Sequence, residues 1–192
     1  MAEDVNFEDV GKKIEEVNAG VERLESILMS EYYDIVKQNK LYDTEHAFTD
    51  ELKDKLVDNI AKALKEQLIH TRPGYEGISD YVFEDSVMQM FFGINKNALK
   101  HFFKDKKRVT ADDIGKLVGS ISQDYSQSMH MKALEKIGPE HLDAGREYLK
   151  KISAQYKIPF KPESVRESKE LMDALLKTHS IAYQYKLRDK YA

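Results

Sequence analysis

The sequence contains no cysteine and no tryptophan, and it has only four proline and nine glycine residues among 192. Without cysteine the chain has no disulfide, no thiolate ligand for a metal and no cysteine nucleophile. Few prolines and glycines disfavour a disordered or loop-rich β protein. No run of eighteen apolar residues predicts a transmembrane helix, and the acidic start MAEDVNFEDV lacks the apolar core of a secretion signal. We therefore expect a folded cytoplasmic protein, and its high content of Lys and Glu is also found in thermophilic proteins.

Charge is spread unevenly along a chain whose net charge is −4. Residues 1–34 carry ten acidic and three basic side chains, whereas the remainder carries 24 acidic and 27 basic ones. An acidic N-terminal helix would therefore join a mildly basic body. Such asymmetry is typical of an interaction arm, and it is equally typical of a helix that exposes most of its sides.

Apolar residues recur with the period of an α-helix throughout the chain, and no segment alternates with the period of a strand. The pattern predicts an all-α, single-domain bundle of about six helices. The third helix is expected from about Ser79 to about Asp105, with an apolar surface wide enough for a central position. Residues 1–37 form a possible protruding or oligomerising N-terminal helix, residues 49–192 form the main bundle, and the candidate boundary lies at 38–48.

Several helix starts carry capping signals. Asn6 is a plausible N-cap for the first helix, and Thr49 for the second. Thr110 and Asp113 are spaced as a capping box before the fourth helix. Ser164 and Glu167 have the same spacing and predict the start of the last helix.

The first helix has the most regular apolar pattern in the chain, a narrow seam with alternating steps of three and four residues. Gly11, Asn18 and Gly20 each weaken this helix by up to about 1 kcal/mol relative to alanine. The seam therefore needs a partner, which is either a second protein chain, such as another copy of this one, or the helix's own domain. The assembly hypothesis assigns the interaction to Phe7, Val10, Ile14, Val17, Val21, Leu24 and Leu28.

Motifs for catalysis and metal binding are lacking. No Glu-x-x-His occurs, and no two of the six histidines have the spacing that would place them on one helix face as a metal pair. There is no Gly-x-Ser-x-Gly and no glycine-rich phosphate loop. We predict no catalytic residue, metal ligand or cofactor from these patterns, and a non-enzymatic interaction module is the leading hypothesis.

A basic stripe is the second candidate site. Three of its lysines recur at every helical turn, and three more cations follow directly. Such a stripe could bind phosphates of a nucleic acid or another anion, or it could be the solvated face and C-terminal charge of a helix. The overall acidic balance does not favour a dedicated nucleic-acid protein. The stripe consists of Lys96, Lys100, Lys104, Lys106, Lys107 and Arg108.

Two segments resemble known families. The long helix followed by KKRVTADDI resembles the second helix, loop and third helix of archaeal histones. The segment ISDYVFEDSV resembles the histone segment that leads into that second helix. The segment HMKALEKIGPEHLDAGREYLKKI resembles the proximal histidine region of globins, with residues 164–190 as the last globin helix. The globin resemblance implies a helical sensor that binds haem, or another apolar ligand, with His130 as the haem ligand.

Overall fold

The computed structural model describes residues 4–41 and 48–191, and in this part of the chain it contains helices and no β-strand. The predicted all-α class is confirmed. Within the described residues, no helix combines the length and the apolar character needed to cross a bilayer. Along the chain the helices are α1 (Phe7–Gln38), α2 (Asp50–Thr71), a composite α3 (Asp80–Val82, Phe83–Val87 and Met88–Phe92), α4 (Lys96–Lys104), α5 (Ala111–Leu134), α6 (Leu142–Tyr156) and α7 (Ser168–Tyr191).

The chain divides into two compact units. The first unit contains Met1–Gly20 and Gln127–Ala192, and the second contains Val21–Ser126. The division falls inside α1 and inside α5, so each of these helices contributes one part to each unit. It does not coincide with the predicted boundary at 38–48, of which residues 42–47 lie outside the described part of the chain.

The first unit buries an apolar core that is drawn from the start of α1, the end of α5, α6 and α7. The first three seam residues of α1 belong to it. The apolar residues of α1 have helical spacing, so they all lie on one face of the helix, and the first turns contribute that face to the core. The core consists of Phe7, Val10, Ile14, Leu134, Ile137, Leu149, Val165, Leu171 and Leu175.

The core of the second unit contains a pair of stacked aromatic rings. Phe92 of α3 stacks on Tyr125 of α5 with ring centroids 5.3 Å apart. The Tyr125 hydroxyl donates to Thr71 Oγ1 (3.0 Å) and accepts from Gln67 Nε2 (3.2 Å), both on α2. A buried tyrosine usually requires such a partner for its hydroxyl, so these bonds fix α5 against α2.

The predicted third helix is interrupted, which corrects the expectation of one continuous helix to about Asp105. Gly93 ends α3 in the left-handed conformation (φ 72°), and a Cβ atom there would overlap the Asp124 side chain. Asn95 then caps α4 by accepting from the Ala98 amide at 2.8 Å. A glycine with positive φ followed by an N-cap residue is a local stop-and-start signal, and it takes precedence over the continuous apolar pattern. The long histone-like helix is therefore absent.

Three predicted caps are present and one is shifted. Asn6 accepts from Glu8 N, Thr49 accepts from Leu52 N, and the Thr110–Asp113 capping box is complete in both directions. The last helix, however, begins at Ser168 rather than at Ser164. Glu170 Oε2 accepts the Glu167 amide at 3.2 Å, so the cap lies three residues further along. Pro162–Ser164 forms a short 3₁₀ turn instead.

Candidate anion-binding surface

The basic stripe lies on α4 and on the connection to α5, within the second unit. Because α4 begins at Lys96 and ends at Lys104, its three lysines lie one turn apart along a single line. The remaining three cations follow in the short connection that ends at the Thr110 cap. The stretch from Lys96 to Arg108 holds six basic residues and one acidic residue, Asp105.

Lys96 forms ion pairs within the second unit. Its Nζ lies 2.8 Å from Asp58 Oδ1 and 3.2 Å from Glu84 Oε1, and its side chain is 22% exposed. The hydrogen bond to Asp58 raises the pKa of Lys96, and the second bond, to Glu84, adds to the effect. This lysine therefore joins α2 to the π-helical part of α3, and it is not available to a ligand without breaking two ion pairs.

Lys106 also has internal partners. Its Nζ lies 3.4 Å from Asp113 Oδ1 and 4.9 Å from the centre of the Phe102 ring. The backbone hydrogen bond from Thr110 lowers the pKa of Asp113, so the carboxylate of the capping box stays charged. Lys106 consequently stabilises the start of α5.

The other four cations of the stripe are exposed. In the described residues none of their side chains makes an ion pair or a hydrogen bond. Their charges are free to meet an anion from solution. We call this set the cationic rim, and it consists of Lys100, Lys104, Lys107 and Arg108.

Lys53 of α2 adds a buried cation beside the rim. It is 8% exposed, and its Nζ donates to the Lys104 carbonyl oxygen at 3.3 Å, at the C-terminal end of α4. No carboxylate of the described residues pairs with it. The bond anchors the end of α4 to α2 and offsets the negative end of the α4 dipole.

Two adjacent grooves, of about 440 and 390 Å³, run along this surface. Both are lined by Lys53 and Lys104, with Lys107 in the first groove and Lys100 in the second. Carboxylates also line the two grooves. The surface therefore offers both cationic groups and acceptors for the protons of hydroxyl and amino groups. These acidic residues are Asp50, Asp54 and Asp105.

The predicted assembly seam lies largely inside the chain. Phe7, Val10 and Ile14 are buried in the core of the first unit, and Leu24 and Leu28 have no exposed surface. Val17 and Val21 are partly buried. Assembly through this seam stays a prediction, and it would require the buried residues to leave their present contacts. Light scattering on the full chain and on a chain starting at Gln38 would test it.

His130 lies on α5, in the part that belongs to the first unit. Its ring is hydrogen-bonded to the backbone of Ile14, and burial lowers its pKa. It lines neither of the two grooves above. The haem hypothesis stays a prediction, which the absorbance of the protein after addition of haem would test. Among the described residues, no three histidine or carboxylate side chains converge as a metal site would require.

Two polar contacts of the structure were not predicted from the sequence, the burial of Lys53 and the pairing of Glu15 with His179. Lys53 sits between Leu52 and Leu56 of an apolar stripe, and nothing in its neighbourhood distinguishes it from a solvated lysine. Glu15 and His179 are hydrogen-bonded although 164 residues separate them. No local pattern could have predicted this pairing. The one indication in the sequence was Gly11, a helix-weakening residue in α1 that lies beside the pair.

Comparison of the chain with protein-family models, with curated proteins and with solved structures found no match. The histone and globin resemblances thus gain no support from a related sequence or fold.

Proposed function

We propose that this protein binds single-stranded nucleic acid through the cationic rim. The observation that supports the proposal is the concentration of Lys100, Lys104, Lys107 and Arg108, four exposed cations without an internal partner, within nine residues of a chain with net charge −4. Phosphates are the usual partners of such clusters, because each contact releases a counterion from the nucleic acid.

One strand fits this surface better than a duplex. The rim provides about four phosphate contacts, and the grooves beside it are lined by Asp50, Asp54 and Asp105. These carboxylates would repel the second phosphate backbone of a duplex. They can, however, accept hydrogen bonds from the sugar hydroxyls and base amino groups of a single strand. His101 is exposed at the same surface and offers a ring on which a base can stack.

The affinity should depend strongly on salt. Single strands lose about 0.7 in the logarithm of the binding constant per tenfold rise in salt for each phosphate contact, so four contacts predict a slope of about −3. The test is the fluorescence anisotropy of a labelled single-stranded RNA of mixed sequence and about sixteen nucleotides, measured over a range of salt concentrations. The same titration with a duplex of equal length measures the preference for one strand.

The decisive variant is Lys104→Glu/Lys107→Glu, which should abolish most of the binding and reduce the slope by at least half. Its control is Lys169→Glu/Lys177→Glu, which makes the same change in net charge on α7, where both lysines are exposed. We expect the control to bind like the unmodified protein. Equal losses in the two variants would mean that net charge alone governs binding, and full binding by the rim variant would contradict the proposal.

A further inference from the structure

A buried hydrogen-bonded network joins three helices in the first unit. Glu15 of α1 lies with Oε2 3.1 Å from Nδ1 of His179 on α7, and Nε2 of that histidine lies 2.8 Å from the hydroxyl of Tyr148 on α6. Lys186, about two helical turns further along α7, lies with Nζ 2.8 Å from Glu15 Oε1. The side chains of His179 and Glu15 are only 4% and 13% exposed.

The hydrogen-bond partners in this network determine which atom carries each proton. A carboxylate only accepts, so His179 Nδ1 must donate to Glu15. In the neutral ring Nε2 is then an acceptor, and the Tyr148 hydroxyl donates to it. Burial raises the pKa of Tyr148, so this hydroxyl keeps its proton. With neutral His179, the polar groups of the network are satisfied and the charges of Glu15 and Lys186 balance.

Packing ties the same network to the start of α1. The rings of Tyr148 and His179 are stacked at 5.7 Å, and Phe7 also stacks on Tyr148, at 5.6 Å. Gly11 faces the pair so closely that an added Cβ would overlap the His179 ring and lie 2.7 Å from the Tyr148 hydroxyl. The absence of a side chain at this position allows α1 to approach the network.

Protonation of His179 would disturb this arrangement. Both ring nitrogens would then donate, so the Tyr148 hydroxyl could no longer donate to Nε2 and would lose its present acceptor. A second positive charge would also join Lys186 beside the single charge of Glu15, in a place with little solvent. Burial lowers the pKa of His179, against the opposing hydrogen bond to Glu15, and the charge of Lys186 lowers it further.

Other titratable groups contact the same segment. His130 of α5 is hydrogen-bonded to the backbone of Ile14. Glu8 of α1 pairs with Lys151 of α6 at 3.1 Å, where both side chains are about two-thirds exposed. Tyr156 of α6 lies under the Lys186 ammonium, 5.8 Å from the ring centre. Of these, His130 is the only one besides His179 whose ordinary pKa falls between pH 5 and 8.

We propose that the Glu15–His179–Tyr148 network is an acid-sensitive latch, which holds residues 7–20 of α1 in the first unit and loosens them when His179 takes up a proton. The proposal is independent of nucleic-acid binding, because it uses none of the residues of the cationic rim. It makes the attachment of the N-terminal helix a property that pH controls.

Amide hydrogen exchange of the full chain at pH 7 and near pH 5, corrected for intrinsic exchange rates, tests the latch. Residues 10–20 should lose protection on acidification. Below the pKa that His179 has when α1 is detached, protection should fall by up to about tenfold for each pH unit. The fall should end once His179 is also protonated with α1 attached. Residues 56–68 of α2, in the other unit, should lose less protection than residues 10–20. Unchanged protection of residues 10–20 would overturn the proposal.

Variants separate His179 from the other groups. His179→Gln retains hydrogen-bonding capacity without a titrating ring, and it should remove more of the acid-induced loss of protection in residues 10–20 than His130→Gln does. His130→Gln should keep the acid-induced loss, and a loss that disappears in this variant but persists in His179→Gln overturns the assignment.

Lys186→Gln leaves the buried His179 ring unchanged and tests the proposal if His179→Gln does not fold. The Lys186 side chain is half exposed, and Lys186→Gln leaves Glu15 free to balance a protonated His179, so the acid-induced loss should shrink. Lys177→Gln, an exposed lysine on the same helix, should behave like the unmodified protein. A loss in Lys186→Gln as large as in the control would contradict the charge argument.

Discussion

Replacing Gly11 by alanine tests how closely α1 approaches the buried network. In an open helix this change would stabilise the protein by up to about 1 kcal/mol, because alanine has the higher helix propensity. At Gly11 the new methyl group overlaps His179, which is 3% exposed, and it crowds the Tyr148 hydroxyl. Overpacking of this kind typically costs about 1–3 kcal/mol.

Displacing the two rings would also weaken two hydrogen bonds of about 1 kcal/mol each. The overlap and the lost bonds outweigh the gain in propensity, so Gly11→Ala should lower the free energy of unfolding by about 2 kcal/mol. Urea denaturation followed by circular dichroism measures this difference.

Matched controls exist on α5. Gly115 and Gly119 are exposed in the helix, and an added Cβ meets no atom within 4 Å at either position. Gly115→Ala and Gly119→Ala should each raise the free energy of unfolding by up to about 1 kcal/mol. If Gly11→Ala stabilised the protein as much as these controls do, the close packing of α1 on His179 would be refuted.

Two further predictions concern the α4 cap and the buried histidines. Asn95→Ala should destabilise the protein by about 1 kcal/mol through loss of the α4 cap, whereas the exposed Asn97→Ala should have almost no effect; thermal unfolding of both variants checks this. Burial lowers the pKa of His130 and of His179 below the ordinary value of 6.5, so the unfolded chain binds protons more readily. Stability should therefore be constant with respect to these groups above about pH 7 and fall as pH drops below about 6.5, by at most about 1.4 kcal/mol per pH unit and group. Melting temperatures that stay level from pH 7.5 to about pH 5 would contradict this sign.

The local features of the fold could be read from the sequence. Asn6, Thr49 and the Thr110–Asp113 box act within one helical turn, so the residues that form each cap are neighbours in the chain. The break between α3 and α4 was equally local, but the apolar periodicity on both sides of Gly93 concealed it. The predicted cap at Ser164 had the right spacing and the wrong position, since Pro162 and its neighbours form a 3₁₀ turn before the helix.

The candidate site was predicted only in part. All six cations of the stripe were identified, because a charge run and a four-residue spacing are visible in one dimension. Which of them are free was not, since Asp58 lies 38 positions from Lys96 in the chain and Glu84 belongs to another helix. Burial of Lys53 against the end of α4 likewise depends on a contact 51 residues apart in sequence.

Periodicity and local hydrogen bonds need only neighbouring residues, so the helical class, the caps that act within a turn and the apolar seam of α1 are encoded locally in the chain. Which distant side chains contact one another depends on how the helices pack. In the folded chain Phe7 and Ile14 are buried in its own core, and Glu15 is hydrogen-bonded to His179. Lys96 is paired with Asp58 and Glu84 and is therefore not a free cation of the basic stripe. These outcomes depend on contacts between distant segments, whose geometry follows from the packing of whole helices rather than from any local pattern.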